Sequence, residues 1–229
     1  SSSYIIEWSA DCNNDGIVDY GQILDGTLTG LDVNDNGVPD VCEAIQWRVE
    51  DGGNGHWYLR TETPEYLAYS WEEAQQVAES SSGYLVCIES ADEQAWIQQN
   101  LPTASNGSFF IGLSQDPGGA EPDGGWGWVN GSPLDYTNWN GSEPNDSNGG
   151  EDYAIAFKDT QVWVDVVGEA NTPVLVEYSS DYNNDGIVDF GQILDGTLID
   201  ADNNGIPDDF QIDDNNNGID DRFEDARRD

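Results

Sequence analysis

The 229 residues carry 46 Asp+Glu against 6 Lys+Arg, a formal net charge of −40. That surplus opposes compaction and argues against nucleic acid and anionic membrane surfaces as partners, since both are bound through basic patches. Yet 9 Trp, 10 Tyr and 6 Phe provide for a packed core, so the acid has to be neutralised, and divalent cations are the evident means. No apolar run is long enough to cross a bilayer, and a chain with neither Met nor a signal peptide reads as processed or as a fragment.

In chain order, residues 1–10 (SSSYIIEWSA) alternate Tyr4, Ile6 and Trp8 with Ile5 and Glu7, which predicts a short strand. It has no partner in its own arm. Folding back on the middle of the chain or pairing with a neighbouring copy would satisfy it, and we favour the second. Residues 11–45 form a first arm and residues 179–229 a second, because DCNNDGIVDYGQILDGTL at 11–28 returns as DYNNDGIVDFGQILDGTL at 181–198. A repeat that flanks a dissimilar middle, residues 46–178, implies separate modules and not a solenoid.

Each arm repeats an oxygen-rich loop with side-chain oxygens at positions 1, 3, 5 and 9 and Gly at 6. The first two loops offer Asp11, Asn13, Asp15 and Asp19, then Asp32, Asn34, Asn36 and Asp40. The third and fourth offer Asp181, Asn183, Asp185 and Asp189, then Asp200, Asp202, Asn204 and Asp208. The fifth offers Asp213, Asn215, Asn217 and Asp221. Alternate side chains converge on one cation, the Gly permits the bend, and residue 7 contributes its carbonyl, here Ile17, Val38, Ile187, Ile206 and Ile219. Position 12 is Glu in two loops, Glu43 and Glu224, and Gln in the others, Gln22, Gln192 and Gln211. Hard oxygen donors without His or Cys select Ca²⁺ over zinc. Asn, Asp and Gly also make plain turns, but five loops in one register point to metal. The loops resemble thrombospondin type 3 repeats in their DxNxNGxPDxCE ending and dockerin loops in their DxNxDG starts. Flanking helices are absent, except for a helical turn expected at Gln22–Leu24 and again at Gln192–Leu194. Cys12 and Cys42 bracket the first arm and are expected to pair in an oxidising compartment, leaving Cys87 as a buried small hydrophobe.

In the middle segment, GHWYLRT at 55–61 predicts an opening strand, and Ser70 with Glu73 makes a capping box for a helix over Trp71–Ser80. Residues 83–89 (GYLVCIE) read as a strand, Ala91–Leu101 as a second helix and Phe109–Leu113 as a short buried strand. Late strands are expected near Tyr153–Phe157, Val162–Val166 and Val174–Tyr178.

GYLVCIES, FIGL, WGWVNG, YTNW, EPN, GGED and WVD follow one another in an order that resembles the C-type lectin-like fold, over residues 46–178. The resemblance implies an α+β domain with two helices, small antiparallel sheets and a long loop region, set between two irregular calcium-loop arms. It resembles a bacterial, disulfide-poor member. In that family EPN and WND build a calcium site that also holds sugar hydroxyls, which carries over to Glu143, Asn145, Glu151 and Asp165, with a cis bond before Pro144. Glu-Pro-Asn implies mannose-type hydroxyl geometry. Val164 stands where the family has Asn, which removes one ligand and one donor. An auxiliary calcium site would draw on Asp146 and Asp152 with Asp116, Glu121 or Asp123.

His56, the sole His, has no nucleophile in a catalytic motif beside it and is assigned a structural role, and the abundance of carboxylates marks no glycosidase pair. Trp126, Trp128 and Trp139 either stack on sugars or fill the loop core, and sequons stand at Asn106, Asn130, Asn140 and Asn145. The expectation is a non-enzymatic, secreted or cell-surface calcium-binding structural or adhesive protein that associates with copies of itself, as in a filament. The alternative is a soluble calcium-dependent mannose-type lectin, with glycans as partners.

Overall fold

The computed structural model describes residues 18, 40–61, 69–101, 107–147, 149–157, 159–169, 174–201 and 204–211. The chain divides into two units, Ile45–Tyr178 and a second made of Ser1–Ala44 with Ser179–Asp229.

In the middle unit, β1 (Ile45–Gln46), β2 (Trp57–Thr61), α1 (Trp71–Glu79), β3 (Tyr84–Leu85) and α2 (Ala91–Asn100) come first. They are followed by β4 (Ser108–Gln115), β5 (Trp126–Trp128), β6 (Tyr153–Phe157), β7 (Trp163–Val166) and β8 (Val174–Tyr178). The strands form two four-stranded sheets, ordered β1-β2-β8-β3 and β5-β4-β6-β7, and every pairing is antiparallel. The opening strand meets the closing one, with Trp57 opposite Tyr178 and Thr61 opposite Val174.

Local chemistry explains most boundaries. The α1 capping box is present in full: the Glu73 N–H donates to Ser70 and the Ser70 N–H to the Glu73 carboxylate. All five residues of β8 are buried, which suits an apolar run flanked on both sides by β2 and β3. The strand expected over residues 83–89 shrinks to Tyr84–Leu85. Beyond it, Val86, Cys87 and Ile88 are fully buried and serve the core instead of a ladder. Their backbone is satisfied elsewhere: Val86 N–H donates to Leu175 O at 3.0 Å, and Val86 O accepts from Gly112 N–H at 2.8 Å. This close approach requires Gly112, because a Cβ there would sit 2.4 Å from the Leu85 carbonyl oxygen. The short strands β1 and β5 are the two that periodicity did not reveal, being two and three residues long.

Trp163 is fully buried and anchors the loop region; its Nε1 donates to Gln94 of α2 at 2.7 Å, and the rings of Trp128, Tyr136 and Trp139 meet it edge-on. Trp126 in turn packs edge-on against Trp139, so these tryptophans fill the core of the loop region.

A polar cluster lies beneath the first sheet. Glu177 of β8 is 1% exposed, and its carboxylate takes His56 Nδ1 at 2.6 Å and the Cys87 N–H at 2.9 Å. Glu93 of α2 accepts from Tyr58 OH at 2.6 Å and from the Glu89 N–H at 2.8 Å. His56 therefore has the structural role expected of it. Burial opposes its charge, but the bond to Glu177 and the charges of Glu177, Glu93 and Glu89 outweigh that and raise its pKa. Burial and the Glu177 charge push Glu93 up to about 7, and burial raises Glu177 as well.

All three shifts act in one direction. A folded state that holds protons more tightly than the unfolded chain loses stability as pH rises. The Glu93 contribution is complete below its ordinary value near 4.5 and is lost by about 7, and the His56 contribution disappears as pH climbs through its raised pKa. In saturating calcium, thermal melts of Glu93→Gln should therefore fall less between pH 5 and 8 than those of the unmodified protein, by a few degrees, at about 3 °C per kcal/mol. Parallel pH profiles would contradict the assignment.

The second unit contributes, among the described residues, 3-10 turns at Asp40–Glu43 and Asp208–Phe210 and the short helix α3 (Asp189–Leu194). The helix contains the turn expected at Gln192–Leu194. Cys42 is disulfide-bonded, Cys87 is free and buried, and Cys12 lies outside the described residues.

Candidate functional site

The four residues carried over from the EPN, GGED and WVD motifs meet at one corner of the loop region. The register is set by Trp163: its N–H donates to Asn138 O and its carbonyl accepts from the Asn140 N–H, both at 2.8 Å. The Glu143 N–H then turns back onto Asn140 O at 2.7 Å, and the Glu143–Pro144 bond is cis as expected. Alternation along β7 places Asp165 on the buried face with Trp163. One Asp165 oxygen, Oδ2, accepts the backbone N–H groups of Asn145 at 2.9 Å and Asp146 at 2.7 Å. Glu151, 8% exposed, accepts from the Ser147 N–H at 2.8 Å, and its own N–H donates to Asp146 Oδ1 at 3.1 Å. The Asn145 amide donates to Glu143.

Two oxygens in this corner lack donors. Asn145 Oδ1 and Asp165 Oδ1 are buried without a hydrogen-bond partner. Contact with the Asp165 carboxyl, then burial, then the charges of Asp165 and Glu151 push Glu143 up to about 7. Crowded carboxylates beside orphaned acceptors form a donor set that matches Ca²⁺, which takes six to eight oxygens from carboxylates, amides and carbonyls. Among the described residues no three His, Cys, Asp or Glu side chains form a ready-made metal cluster; in this corner the Asn145 amide oxygen stands beside the carboxylates. Val164, half-buried and paired with Ile155, brings neither an oxygen nor a donor.

The auxiliary group is less assembled. Asp116, Glu121 and Asp123 are exposed; Asp116 Oδ1 accepts the Gly118 N–H at 2.8 Å, and Asp152 is half-buried. A second cis bond, Glu121–Pro122, was not anticipated. Of the sequons, Asn130 donates to Glu89 at 2.9 Å, and Asn106 lies outside the described residues.

In the second arm the third and fourth loops are wired alike. Asp181 accepts the N–H groups of Asp185 at 3.1 Å and Gly186 at 2.9 Å; Asp200 accepts those of Asn204 at 3.1 Å and Gly205 at 2.8 Å. The position-9 carboxylates hold the N–H of position 2, Asp189 from Tyr182 at 2.6 Å and Asp208 from Ala201 at 3.0 Å. The position-12 amides, Gln192 and Gln211, donate to the position-5 side chains, Asp185 at 2.8 Å and Asn204 at 3.4 Å. Asp189 is 1% exposed with an unpartnered Oδ1, whereas Asp208 is exposed. Burial and the like charges of Asp181 and Asp185 raise the Asp189 pKa; the Gln192 amide and the Ile187 and Asn183 donors lower that of Asp185. The sequence pattern placed these residues in register but gave no sign that Asp189 is buried or that Gln192 braces Asp185. The first loop (Asp11, Asn13, Asp15, Ile17, Asp19) lies outside the described residues, as do Asp32, Asn34, Asn36 and Val38 of the second loop and Asp202. The fifth loop, from Asp213 through Asn215, Asn217, Ile219 and Asp221 to Glu224, lies outside them too.

Two small antiparallel sheets, two helices and a long loop region carrying the cis Glu143–Pro144 corner are those of a C-type lectin-like fold. Residues 67–175 match the family model described as the lectin C-type domain, and the middle unit has the C-type lectin-like fold. The chain is 29% identical over 141 residues to human (Homo sapiens) C-type lectin domain family 10 member A, covering 58% of this chain and 39% of that protein. It is likewise 29% identical over 126 residues to rat (Rattus norvegicus) asialoglycoprotein receptor 1, covering 52% and 39%. The match thus spans well under half the length of these relatives. Among solved structures, the C-type lectin CEL-I from Cucumaria echinata is 25% identical with a TM-score of 0.48, over 56% of this chain and 93% of that one.

Asp165→Ala strips the acceptor from two backbone N–H groups. In chelator it should destabilise the middle unit by about 2–3 kcal/mol. In the unmodified protein, calcium should raise the melting midpoint of the tryptophan signal, and the variant should lose most of that rise. An equal calcium response in both would remove Asp165 from the site.

Proposed function

We propose that this is an extracellular or cell-surface protein that binds carbohydrate through calcium at the Glu143–Asp165 corner and catalyses no reaction. The observation that carries the reading is the pair of buried, donorless oxygens, Asn145 Oδ1 and Asp165 Oδ1, beside the crowded Glu143 carboxyl. Bound calcium would supply coordination for two vicinal sugar hydroxyls. Glu143 and Asn145 would bond the same hydroxyls, with Glu151 and Asp165 completing the oxygen set. Trp163 keeps the corner in register through its two backbone bonds.

The Glu143-Pro144-Asn145 order supports a mannose-type preference, on the resemblance alone. Relatives named as asialoglycoprotein receptors support glycoprotein glycans as the class of partner. This evidence favours the lectin reading over the self-associating structural subunit. The latter rests on the paired arms, on Val164 in the sugar motif and on residues 1–10, which lie outside the described residues. No helix among the described residues is long and apolar enough to cross a membrane. Further calcium ions are proposed for the loops of the two arms, which resemble thrombospondin type 3 and dockerin loops.

Val164 should make sugar binding weak, because a lost polar partner costs about 1–3 kcal/mol. On an array of mannose- and galactose-type glycans, binding should be calcium-dependent and feeble, vanish in Glu143→Ala, and strengthen about tenfold in Val164→Asn. No glycan bound in calcium by either the unmodified protein or Val164→Asn would overturn the proposal.

A further inference from the structure

The side chains of the third loop form an unequal set. Asp185 is saturated: Oδ1 takes the Ile187 N–H at 2.8 Å, and Oδ2 takes the amides of Gln192 at 2.8 Å and Asn183 at 3.0 Å. Asp189 is the opposite case, since Oδ2 takes the Tyr182 N–H while Oδ1, equally buried, takes nothing. The two carboxylates belong to one loop bent at Gly186, whose φ of 84° lies in the left-handed region. A buried carboxylate oxygen without a donor calls for a proton or a cation. Unlike a cluster of acids at the surface, this loop therefore carries one buried oxygen that no protein donor satisfies.

Gln192 limits how strongly. It is 7% exposed, held in place, and sits where a loop of this spacing would place a bidentate Glu. Its Nε2 faces Asp185 and its Oε1 accepts from the Asn183 amide at 3.3 Å, so it braces the loop and adds no negative charge. Gln211 repeats the brace onto Asn204 and also donates to Ile206 O at 3.0 Å.

We infer that residues 181–192 form a low-affinity site for one hard divalent cation, calcium, with Asp189 Oδ1 as its buried ligand and Gln192 as the residue that sets its strength. The inference rests on reading the arms as calcium loops and goes beyond it in naming the decisive ligand, the affinity class and the residue that governs it. Affinity in such loops follows ligand charge and rigidity, and loss of the position-12 carboxylate puts this loop at the weak end of their range, about 10⁻⁴–10⁻³ M. A site of that strength fills only where calcium is abundant.

The Gly186 amide, which donates to Asp181 at 2.9 Å, provides a local probe. In the full-length ¹⁵N-labelled protein its signal should move with calcium at a midpoint in the range of about 0.1–1 mM. Gln192→Glu should lower that midpoint about tenfold or more, and the isosteric Asp189→Asn should raise it by a similar factor. A Gly186 signal that ignores several millimolar calcium would show that the loop takes no cation and would sink the loop reading itself. A signal that titrates normally but with the same midpoint in Gln192→Glu would leave the loop reading standing and overturn the role given to Gln192. An unchanged midpoint in Asp189→Asn would likewise overturn Asp189 as the decisive ligand.

Discussion

Every buried carboxylate oxygen in this chain has to be met by an N–H group, a proton or a cation, and with so many acids this constraint governs both units. Against a formal net charge of −40 there are 6 basic side chains, so ion pairing can serve very few acids. Among the described residues Arg48 pairs with Glu50 at the surface, and His56 pairs with the buried Glu177. Glu177 and Glu93 are answered by hydrogen bonds from His56, Tyr58 and the backbone N–H groups of residues 87 and 89. Asp165 and Asp189 each have one oxygen answered by backbone N–H and the other left open. The open oxygens occur where sequence motifs point to calcium, in two units of different construction.

The fold positions the Glu143–Asp165 corner through tryptophan, not through the acids themselves. Trp163 is buried against α2 through its bond to Gln94, so the strand that carries Asp165 is fixed before any ligand arrives. Its backbone also clamps Asn138 and Asn140, which delivers Glu143 and Asn145 to the same corner. In the arm the order is reversed. The loop is braced by its own polar side chains, and among the described residues of the arm the buried apolar ones are Val188 and Ile206. The corner is thus held by packing, and a cation there would complete the oxygen set, whereas a cation in the loop would contribute a larger share of its stability.

The fold was legible wherever local chemistry dictates an element. The Ser70–Glu73 capping box fixed α1, and the continuous apolar run of β8 fixed the closing strand. Residues 86–88 misled because an apolar run suits a buried strand and a buried irregular segment equally well, and only the pairing partners distinguish them. The buried acids were not legible. Glu177 stands in a run of apolar residues, and Glu93 on a helix that is polar around it, and neither position signals that His56 and Tyr58 reach them from β2 and the residue before it. At the candidate site, motif order pointed to Glu143, Asn145, Glu151 and Asp165, which the structure brings to one corner. The incomplete bonding of Asn145 and Asp165 is a property of three-dimensional packing that no spacing reveals.

The claim that these open oxygens await a metal can be tested directly by diffraction. Crystals grown in calcium, with anomalous data collected to locate it, should show an ion about 2.3–2.6 Å from both Asn145 Oδ1 and Asp165 Oδ1. A water molecule in that place, or side chains rotated so that both oxygens accept protein N–H groups, would contradict the account.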